Sequence, residues 1–282
     1  MAFHMIGAPV ATAICEENKI QSDALRTKGI IPTLAIVRIG ARGGDLAYEK
    51  SATNRCNLSG VEVVNRVFDE NVTEEEFLAA IREISADDSI HGCLIFRPLP
   101  KHISDEKVAE ALGPAKDVDG STALSLAGVF AGTGSGFPPC TAQACIEILE
   151  HYQVPVSGKH AVVLGRSLVI GRPVAMMLLG KNATVTICHS RTENIKEYTK
   201  NADIIIAATG KADMIDESYL GEGQTIIDVG VTPVADGSLH GDVQAAAAEA
   251  KAERVTMFED RIGGVTASVL VKHVIQAAAA RA

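Results

Sequence analysis

The chain has 282 residues, of which 47% are hydrophobic and 22% are charged, and its formal net charge is −9. This composition is typical of a globular protein with enough apolar material for two ordinary domains or one large one. The acidic balance argues against nucleic acid as the main partner, because phosphate binding needs a basic surface.

Short runs rich in β-branched residues alternate with helix-like segments along the chain. In chain order, the predicted strands are Thr33–Arg38, Glu62–Phe68, Gly92–Phe96, His160–Leu164, Thr184–Cys188, Ile204–Ala208 and Thr225–Val229. Helices are predicted between them, for example over Glu74–Ser85 and Gly171–Leu179. This alternation predicts βαβ units and therefore an α/β fold with a mainly parallel sheet. The strands are nearly continuous apolar runs, as expected where helices cover both faces of a sheet.

A stretch rich in glycine, serine and proline, GVFAGTGSGFPPC, covers residues 128–140 and predicts a loop. A helix is then predicted to begin near Thr141, which is a candidate N-cap. The sequence therefore predicts two lobes, formed by residues 1–140 and 141–264. The Ala-rich C-terminal segment 265–282 predicts a final helix that completes the first lobe.

The six cysteines include no Cys-x-x-Cys pair, and most have apolar neighbours. This pattern predicts reduced, buried thiols and no metal site. The apolar start of the chain lacks a basic segment and soon turns acidic, unlike a signal peptide. No apolar run approaches the length of a membrane span. The sequence therefore predicts a cytoplasmic protein that has no membrane partner.

The segment HAVVLGRSLVIGRP, residues 160–173, predicts a buried strand that passes through a glycine turn into a helix. Gly165, Arg166 and Ser167 follow the strand, and the helix is expected to begin near Gly171. Glycine lets the backbone approach a pyrophosphate, and a helix N-terminus offers free N–H groups with a positive dipole. The spacing G-x-S-x-x-x-G differs from the usual G-x-G-x-x-G, so a plain strand-to-helix turn is the alternative.

The end of the next strand indicates which dinucleotide binds. An NAD site places Asp or Glu about 20 residues downstream to bind the ribose 2′-hydroxyl. Here the strand ends Cys188-His189-Ser190-Arg191, without an acid. Ser190, Arg191 and Arg166 are candidates for binding a 2′-phosphate, which arginine pairs with in a bidentate geometry. We therefore predict NADP as the cofactor. For Arg191 the alternative is a solvated charge at the strand end.

Several motifs, in order along the chain, together resemble a known family. They are KDVDG (116–120), PPCTAQA (138–144), VVLGRSLVIGRP (162–173), TVTICHSRT (184–192) and IIDVGVT (226–232). The whole chain is similar, almost without gaps, to the methylenetetrahydrofolate dehydrogenase/methenyltetrahydrofolate cyclohydrolase (FolD) family. The resemblance implies a homodimer of two-lobed subunits, each with an α/β folate-binding catalytic lobe and a Rossmann-like NADP-binding lobe.

The resemblance also implies an activity and a set of site residues. The activity is NADP-dependent oxidation of 5,10-methylenetetrahydrofolate to 5,10-methenyltetrahydrofolate, which many members then hydrolyse to 10-formyltetrahydrofolate. The implied catalytic residues are Asp119, which should hydrogen-bond the pterin ring, and Tyr48, which should line the folate site. For Asp119 alone, a turn residue is the alternative. Further residues implied for the folate site are Pro98, Leu99 and Thr266, and further residues implied for the cofactor site are Thr209, Gly210 and Val231.

Two departures from the family pattern concern hydrolysis. The family reads Y-x-x-x-K, where the lysine is associated with hydrolysis, whereas here Tyr48 is followed by Ala52 at the lysine position. Lys50 is no easy substitute, because residues 48 and 52 share a helix face and residue 50 points roughly opposite. The family segment V-Q-L-P-L-P supplies a glutamine partner for that lysine. Phe96 takes the glutamine position here and cannot hydrogen-bond through its side chain.

These departures predict that the two family activities are separated. Hydride transfer needs mainly the positioning of donor against nicotinamide. Hydrolysis needs general acid–base catalysis, worth about 10²–10⁴-fold. We therefore expect dehydrogenase activity with weak or absent cyclohydrolase activity. One alternative is a fully bifunctional enzyme in which Tyr48 or an ordered water replaces the lysine. Another is a non-catalytic sensor that binds NADP or folate, although the retained KDVDG and Tyr48 argue against it.

A third departure lies at residues 259–266. The family has a P-G-G-V-G-P-M-T loop beside folate and nicotinamide, and the ungapped comparison gives EDRIGGVT here. Thr266 and one glycine match, but the proline–glycine start is lost. A gapped comparison pairs residues 263–265 with G-G-V instead. Arg97 and Arg261 are candidates for contact with the glutamate tail of folate, with a plain surface role as the alternative.

Overall fold

The computed structural model describes residues 1–260 and 262–281. Up to His151 the helices and strands are β1 (Phe3–His4), α1 (Gly7–Thr27), β2 (Thr33–Ile39), α2 (Gly43–Ser59), β3 (Glu62–Phe68), α3 (Glu74–Ala86), β4 (Gly92–Ile95), α4 (Asp105–Leu112), α5 (Ala123–Ala131) and α6 (Cys140–His151). The following elements are β5 (His160–Leu164), α7 (Gly171–Gly180), β6 (Thr184–Cys188), α8 (Ile195–Lys200), β7 (Ile204–Ala207), β8 (Gln224–Asp228), β9 (Thr232–Pro233), β10 (Leu239–His240), α9 (Ala245–Lys251), β11 (Ala252–Thr256) and α10 (Ile262–Ala279).

The chain divides into two compact units. Thr12–Cys140 and Ala267–Ala282 form one, which we name the three-stranded unit after its sheet. Met1–Ala11 and Thr141–Thr266 form the other, which we name the six-stranded unit.

The start of the chain differs from the prediction. Residues 1–11 were expected in the first lobe, but they belong to the six-stranded unit. The reason is strand pairing, because Phe3 and His4 of β1 pair in parallel with Arg254 and Val255 of β11. Neither short strand is apolar enough to stand out in the sequence.

The three-stranded unit is built on a parallel sheet with the order β3-β2-β4. The sheet contacts α3 and α4 through a core of buried apolar side chains that includes Phe77, Ile81 and Val108. The helix α3 begins at a capping box, in which Thr73 and Glu76 each bond the backbone amide of the other.

A buried lysine fixes the chain between α4 and α5. Lys116 is almost fully buried, and its Nζ donates to the carbonyl oxygen of Ile84 at 2.6 Å and to that of Asp87. These carbonyls lie at the C-terminal end of α3, where a cation is favoured by the helix dipole. The contacts hold the KDVDG segment, which contains Asp119, against the core of the unit.

The six-stranded unit is built on a parallel sheet with the order β1-β11-β8-β7-β5-β6. The strands β5, β7 and β8 are almost entirely buried, as their continuous apolar sequences predict. The chain passes from β5 to its neighbour β6 and then returns to β7 on the other side of β5. Such a reversal leaves a crevice at the carboxyl ends of the strands, where ligands bind in open parallel sheets.

The seven predicted strands are all present, with bounds that differ from the predicted ones by at most one residue at each end. The prediction of a mainly parallel α/β fold is therefore confirmed. Three local predictions were wrong. Thr141 is not an N-cap, because α6 already begins at Cys140. The predicted loop begins late, because α5 continues to Ala131. The last helix begins at Ile262 rather than at residue 265.

The glycine that opens the predicted loop has a packing role instead. Gly128 is helical, and a Cβ built on it would lie 1.9 Å from the carbonyl oxygen of Ser135. Glycine is needed there because the helix and the following loop approach closely, and this requirement is not visible in the composition of the segment.

The helix α10 was not anticipated as a candidate span. It has 18 residues and is long and apolar enough to cross a membrane by length and composition, but 72% of it is buried inside the protein. Such burial is the pattern of a core helix.

Candidate active site

A cavity of about 260 Å³ lies at the carboxyl ends of β5, β6 and β7, where the strand order reverses. Its lining includes five residues predicted to bind the cofactor, namely Gly165, Arg166, Ser167, Ser190 and Thr209. The other lining residues are Leu164, Cys188, His189, Ile195, Ala208, Lys211 and Met214. Four further predicted residues, Gly171, Arg191, Gly210 and Val231, lie outside this lining.

The two glycines of the turn after β5 are required by close backbone approaches. Gly165 has φ +129°, and a Cβ on it would lie 2.2 Å from the carbonyl oxygen of Ala208. A Cβ on Gly171 would lie 2.3 Å from the carbonyl oxygen of Gly165. The turn therefore brings β5, β7 and the start of α7 together as closely as backbone allows, which is the arrangement of a phosphate-binding turn.

Ser167 and Arg172 hold this turn in place. The amide of Ile170 donates to the Ser167 hydroxyl at 3.1 Å, and the amide of Arg172 donates to the Ser167 carbonyl at 3.0 Å. The Arg172 side chain donates through Nε to the Arg166 carbonyl at 3.1 Å. The positive end of α7 thus faces a turn that is already ordered.

A buried carboxylate shapes the opposite wall of the cavity. The amides of Thr209, Gly210 and Lys211 all donate to the side chain of Asp242, at 3.2 Å for Gly210 and 3.0 Å for Lys211. Asp242 is fully buried, so three backbone donors satisfy its charge away from water. Gly210 thus contributes to the loop behind the cavity rather than to its surface.

A second buried carboxylate, Asp228, holds the segment that carries Asp242. It accepts the amides of Gly230, Asp242 and Val243 at 2.8–3.0 Å. Burial raises the pKa of Asp228 to about 6, and the three hydrogen bonds oppose that rise. Val231, the nearby predicted cofactor residue, is exposed at the end of β8.

Two lining residues with basic side chains, Lys211 and His189, were missed by the sequence analysis. Lys211 follows β7 and His189 follows β6, so only the strand order brings them to one cavity with Arg166. One signal for Lys211 was available in the sequence. It comes three residues after the predicted strand Ile204–Ala208 and directly after Gly210. Arg191 is exposed, and its amide donates to the Nδ1 atom of His189 at 3.1 Å.

In the three-stranded unit, Tyr48 lies on α2 and meets the ring of Phe96 edge to face, with ring centroids 5.8 Å apart and planes at 85°. Ala52, one helical turn after Tyr48, is 0% exposed, and Lys50 is exposed. The helix therefore turns residue 50 to solvent and residue 52 to the interior, as the spacing predicted. Phe96 is 7% exposed and directly follows β4.

Asp119, in the KDVDG segment, has a pKa that is shifted towards neutrality. Burial and the charge of Asp117 raise the pKa of Asp119 to about 6. Asp117 itself is buried and accepts the amides of Ser121 at 2.9 Å and Thr122 at 2.7 Å, so it serves the turn into α5. Asp119 is half-buried and free of that structural duty.

Burial also raises the pKa of the Tyr48 hydroxyl well above its usual value, with smaller contributions from Cys140 and Asp119. The Cys140 thiol is buried, donates to the Val118 carbonyl at 3.3 Å, and has its pKa raised for the same reason. At neutral pH this region therefore holds a phenol, a thiol and a carboxyl group that is mostly ionised.

The segment after Phe96 is fixed by an ion pair, a hydrogen bond and apolar contacts. Arg97 donates through Nε to Asp105 at 2.8 Å, and Arg42 donates to the Pro98 carbonyl at 3.0 Å. Leu99 contacts the apolar core of the three-stranded unit. The predicted substrate residues Pro98 and Leu99 thus lie on an ordered segment, and Arg97 already has a carboxylate partner.

Thr266 is the fifth residue of α10, and its hydroxyl donates to the Ile262 carbonyl at 3.4 Å. The other arginine suggested for the glutamate tail, Arg261, lies outside the described residues.

Comparisons with known proteins match both units of this architecture. Residues 5–119 match the family model described as "Tetrahydrofolate dehydrogenase/cyclohydrolase, catalytic domain", and residues 139–282 match "Tetrahydrofolate dehydrogenase/cyclohydrolase, NAD(P)-binding domain". The chain is 46% identical over 271 residues to the bifunctional protein FolD of Alkaliphilus oremlandii, covering 96% of this chain and 95% of that protein.

Two solved structures extend the likeness to three dimensions. The FolD methylenetetrahydrofolate dehydrogenase/cyclohydrolase of Campylobacter jejuni is 33% identical, with a TM-score of 0.96 and all of both chains covered. The Trypanosoma brucei FolD, complexed with NADP cofactor and inhibitor, is 30% identical, with a TM-score of 0.93 and 99% and 98% of the two chains covered. The prediction of an NADP cofactor agrees with this structure and with the NAD(P)-binding domain model. The sequence resemblance is confirmed, and the chain belongs to the tetrahydrofolate dehydrogenase/cyclohydrolase family.

Proposed function

We propose that this protein is an NADP-dependent 5,10-methylenetetrahydrofolate dehydrogenase with weak or absent cyclohydrolase activity. The observation that carries the proposal is the apolar replacement beside Tyr48. Ala52 is fully buried at the position of the family lysine, and Phe96 presents a ring to Tyr48 where the family has glutamine.

Oxidation of the methylene group makes few demands on protein side chains. Two flanking nitrogens stabilise the cation that is left when hydride departs, so no protein base is required. NADP, when bound, supplies the hydride acceptor. The protein must bind and orient the folate, a role that we assign to Tyr48 and Asp119, together with Pro98, Leu99 and Thr266.

Hydrolysis of the methenyl cation needs an activated water and a proton donor. Tyr48 is a poor base, because its raised pKa keeps it protonated at neutral pH. Lys50 points to solvent, and Arg97 is paired with Asp105 and cannot release a proton. The residues around Tyr48 therefore favour hydride transfer over hydrolysis.

The cofactor cavity favours NADP over NAD. Its described lining contains Arg166, His189 and Lys211 and no carboxylate. A cationic lining attracts a 2′-phosphate, whereas the acid that NAD sites use to bind the ribose would repel it. We assign Ser190 and Arg166 to the 2′-phosphate and the turn from Gly165 to Gly171 to the pyrophosphate. Arg191, outside the lining, is a further candidate for the phosphate.

One observation favours the fully bifunctional alternative. Asp119 has a pKa of about 6, which suits a general acid or base near neutral pH. In the proposed complex this carboxyl group hydrogen-bonds the pterin and is not available for water activation. Hydrolysis that depends on an ionisation near pH 6 would support the alternative.

The deciding experiment mixes the purified protein with 5,10-methylenetetrahydrofolate and NADP. NADPH and methenyltetrahydrofolate are followed separately by absorbance, and methenyl decay is compared with an enzyme-free blank. We expect both signals to rise together and the methenyl signal to decay at the blank rate. Enzyme-dependent loss of methenyltetrahydrofolate shows a bifunctional enzyme, and ligand binding without any change at the nicotinamide shows a sensor.

From the family resemblance we also infer a homodimer located in the cytoplasm. Light scattering of the purified protein tests the assembly, and a mass of one chain at micromolar concentration contradicts it. Fractionation of the source cells tests the location.

A further inference from the structure

His4 lies between two carboxylates in the six-stranded unit. Its Nε2 atom is 2.6 Å from Glu249 Oε1, and its Nδ1 atom is 3.0 Å from Asp260 Oδ2. Both carboxylates are acceptors, and a neutral imidazole has a single N–H. The two contacts can be hydrogen bonds at the same time only when His4 is the doubly protonated imidazolium.

Asp260 connects this ion pair to the backbone ahead of α10. The amide of Met257 donates to Asp260 Oδ2 at 2.8 Å, which closes the 3₁₀ turn Phe258–Asp260. The side chain of Asp260 is 10% exposed, so its charge depends on these two donors. The helix α10 begins two residues later, at Ile262, and Thr266 is its fifth residue.

The strand that carries His4 is itself firmly held. The amide of Met5 donates to the Val255 carbonyl at 2.7 Å, and the Thr256 hydroxyl donates to the Met5 carbonyl at 2.9 Å. His4 therefore reaches Asp260 from a fixed strand, and the contact restrains the turn rather than the strand.

We propose that His4 is a positioning residue, whose imidazolium holds Asp260 and through it fixes the start of α10 and the orientation of Thr266. The inference rests on the proposed role of Thr266 at the folate. In the ungapped comparison with the family pattern, Asp260 stands at a glycine position, and glycine has no side chain for His4 to hold.

The charged and titratable groups around His4 agree with a cationic state. Glu249 on α9 and Asp260 face its two nitrogens, and the N-terminal ammonium group interacts with Glu249. Tyr152 faces Asp260 and donates its hydroxyl proton to the Ile6 carbonyl at 2.8 Å. The hydrogen bond to Glu249 is the largest cause that raises the pKa of His4, and burial opposes it.

This direction of shift fixes the sign of the pH dependence. The imidazolium is present below the raised pKa and is lost as the pH increases through it, so the restraint on the turn weakens towards alkaline pH. The pKa of the Asp119 carboxyl is about 6, and the variant His4→Gln, which keeps Asp119, separates the two ionisations.

The test compares wild type with His4→Gln and Asp260→Asn; the asparagine oxygen still accepts the Met257 amide but carries no charge. The control is His240→Gln, which removes another His–Asp ion pair of the same unit, at 2.6 Å from Asp213. We measure KM for 5,10-methylenetetrahydrofolate and for NADP across pH, and hydrogen exchange of the Met257 amide without substrate.

Below the pKa of His4 we expect both variants to raise KM for the folate about fivefold, the effect of a half-exposed ion pair, without a change in KM for NADP. In wild type, KM for the folate should rise by the same factor as pH increases through the pKa of His4. In His4→Gln it should not change with pH in this way, and the control should behave as wild type. Unchanged Met257 exchange in His4→Gln, or an equal effect of the control, overturns the inference. A different outcome is a protein without turnover in which hydrogen exchange of the Met257 amide still depends on pH and on His4. That result supports the restraint of the turn by His4 and rejects the proposed function.

Discussion

Replacing Ala52 with lysine and Phe96 with glutamine is expected to create cyclohydrolase activity. The double change places an ammonium group and its amide partner next to Tyr48. Because general acid–base groups contribute about 10²–10⁴-fold, we expect methenyltetrahydrofolate hydrolysis to increase within that range. Dehydrogenation should change much less, since it depends on positioning.

The burial of both positions sets the effect on stability. Ala52 is fully buried, so lysine alone at this position overpacks the interior and adds an unpaired charge. The overpacking should lower the free energy of unfolding by about 1–3 kcal/mol. Glutamine alone at Phe96 removes the edge-to-face contact with Tyr48, worth about 0.5–1.5 kcal/mol, and leaves a buried amide, which costs about 1–3 kcal/mol. In the double variant the smaller amide makes room and accepts from the ammonium. We therefore expect a favourable coupling of about 0.5–3 kcal/mol in a double-mutant cycle.

The assay follows methenyl decay and dehydrogenation in wild type, both single variants and the double variant. A matched control, Asn54→Lys, adds lysine to the exposed face of the same helix and should not increase hydrolysis. Urea unfolding supplies the four free energies of the cycle. A folded double variant with full dehydrogenase activity and no gain in hydrolysis would contradict the assigned roles of Ala52 and Phe96, as would wild-type hydrolysis at the rate of dehydrogenation.

The other predictions concern the cofactor turn and Asp119. Ser190→Asp places a carboxylate in the cationic cavity and should lower kcat/KM for NADP by about 10²-fold, while kcat/KM for NAD falls less. Steady-state kinetics with both cofactors test this, and an equal loss for both contradicts it. Gly165→Ala should abolish NADP binding in calorimetry, because its Cβ would lie 2.2 Å from the Ala208 carbonyl oxygen; retained affinity contradicts the close approach. The pKa of Asp119 is raised to about 6 from an ordinary 3.8, so ionisation disfavours the folded state and stability falls as pH increases from about 4 to about 6. The free energy of unfolding of Asp119→Asn, measured with urea, should therefore exceed that of wild type by about 1–3 kcal/mol at pH 7.5 but not at pH 4. The affinity of this variant for the folate should fall. An equal difference in stability at both pH values contradicts the pKa shift.

The central strands could be predicted because their sequences are continuous apolar runs bounded by turn residues. Two strands of the six-stranded unit, β1 and β11, could not. The strand β11 reads Ala-Glu-Arg-Val-Thr, with two charged residues, and β1 has only two residues, so neither shows the pattern of a buried strand. Their strand character comes from pairing with each other and with β8, which is a tertiary effect.

The same distinction separates the predicted from the missed residues of the cofactor cavity. Gly165 and Ser167 were predictable because one continuous segment forms the strand, the turn and the helix. Lys211 and His189 come from two other segments, and they meet Arg166 only because β6 and β7 both flank β5. The role of Asp242 was also hidden, since nothing local shows that its carboxylate accepts three amides of a distant loop.

The changes at Ala52 and Phe96 both concern Tyr48, which lies one helical turn before Ala52 and contacts the ring of Phe96. Loss of a lysine alone leaves a polar partner without its cation, and a buried unpaired amide is costly. In this chain the partner position carries an aromatic ring that contacts Tyr48, so no such cost remains and the phenol stays oriented. An arrangement that is stable without the lysine, and that keeps the tyrosine in place, fits an enzyme that retains folate binding and hydride transfer after the groups for hydrolysis have been replaced.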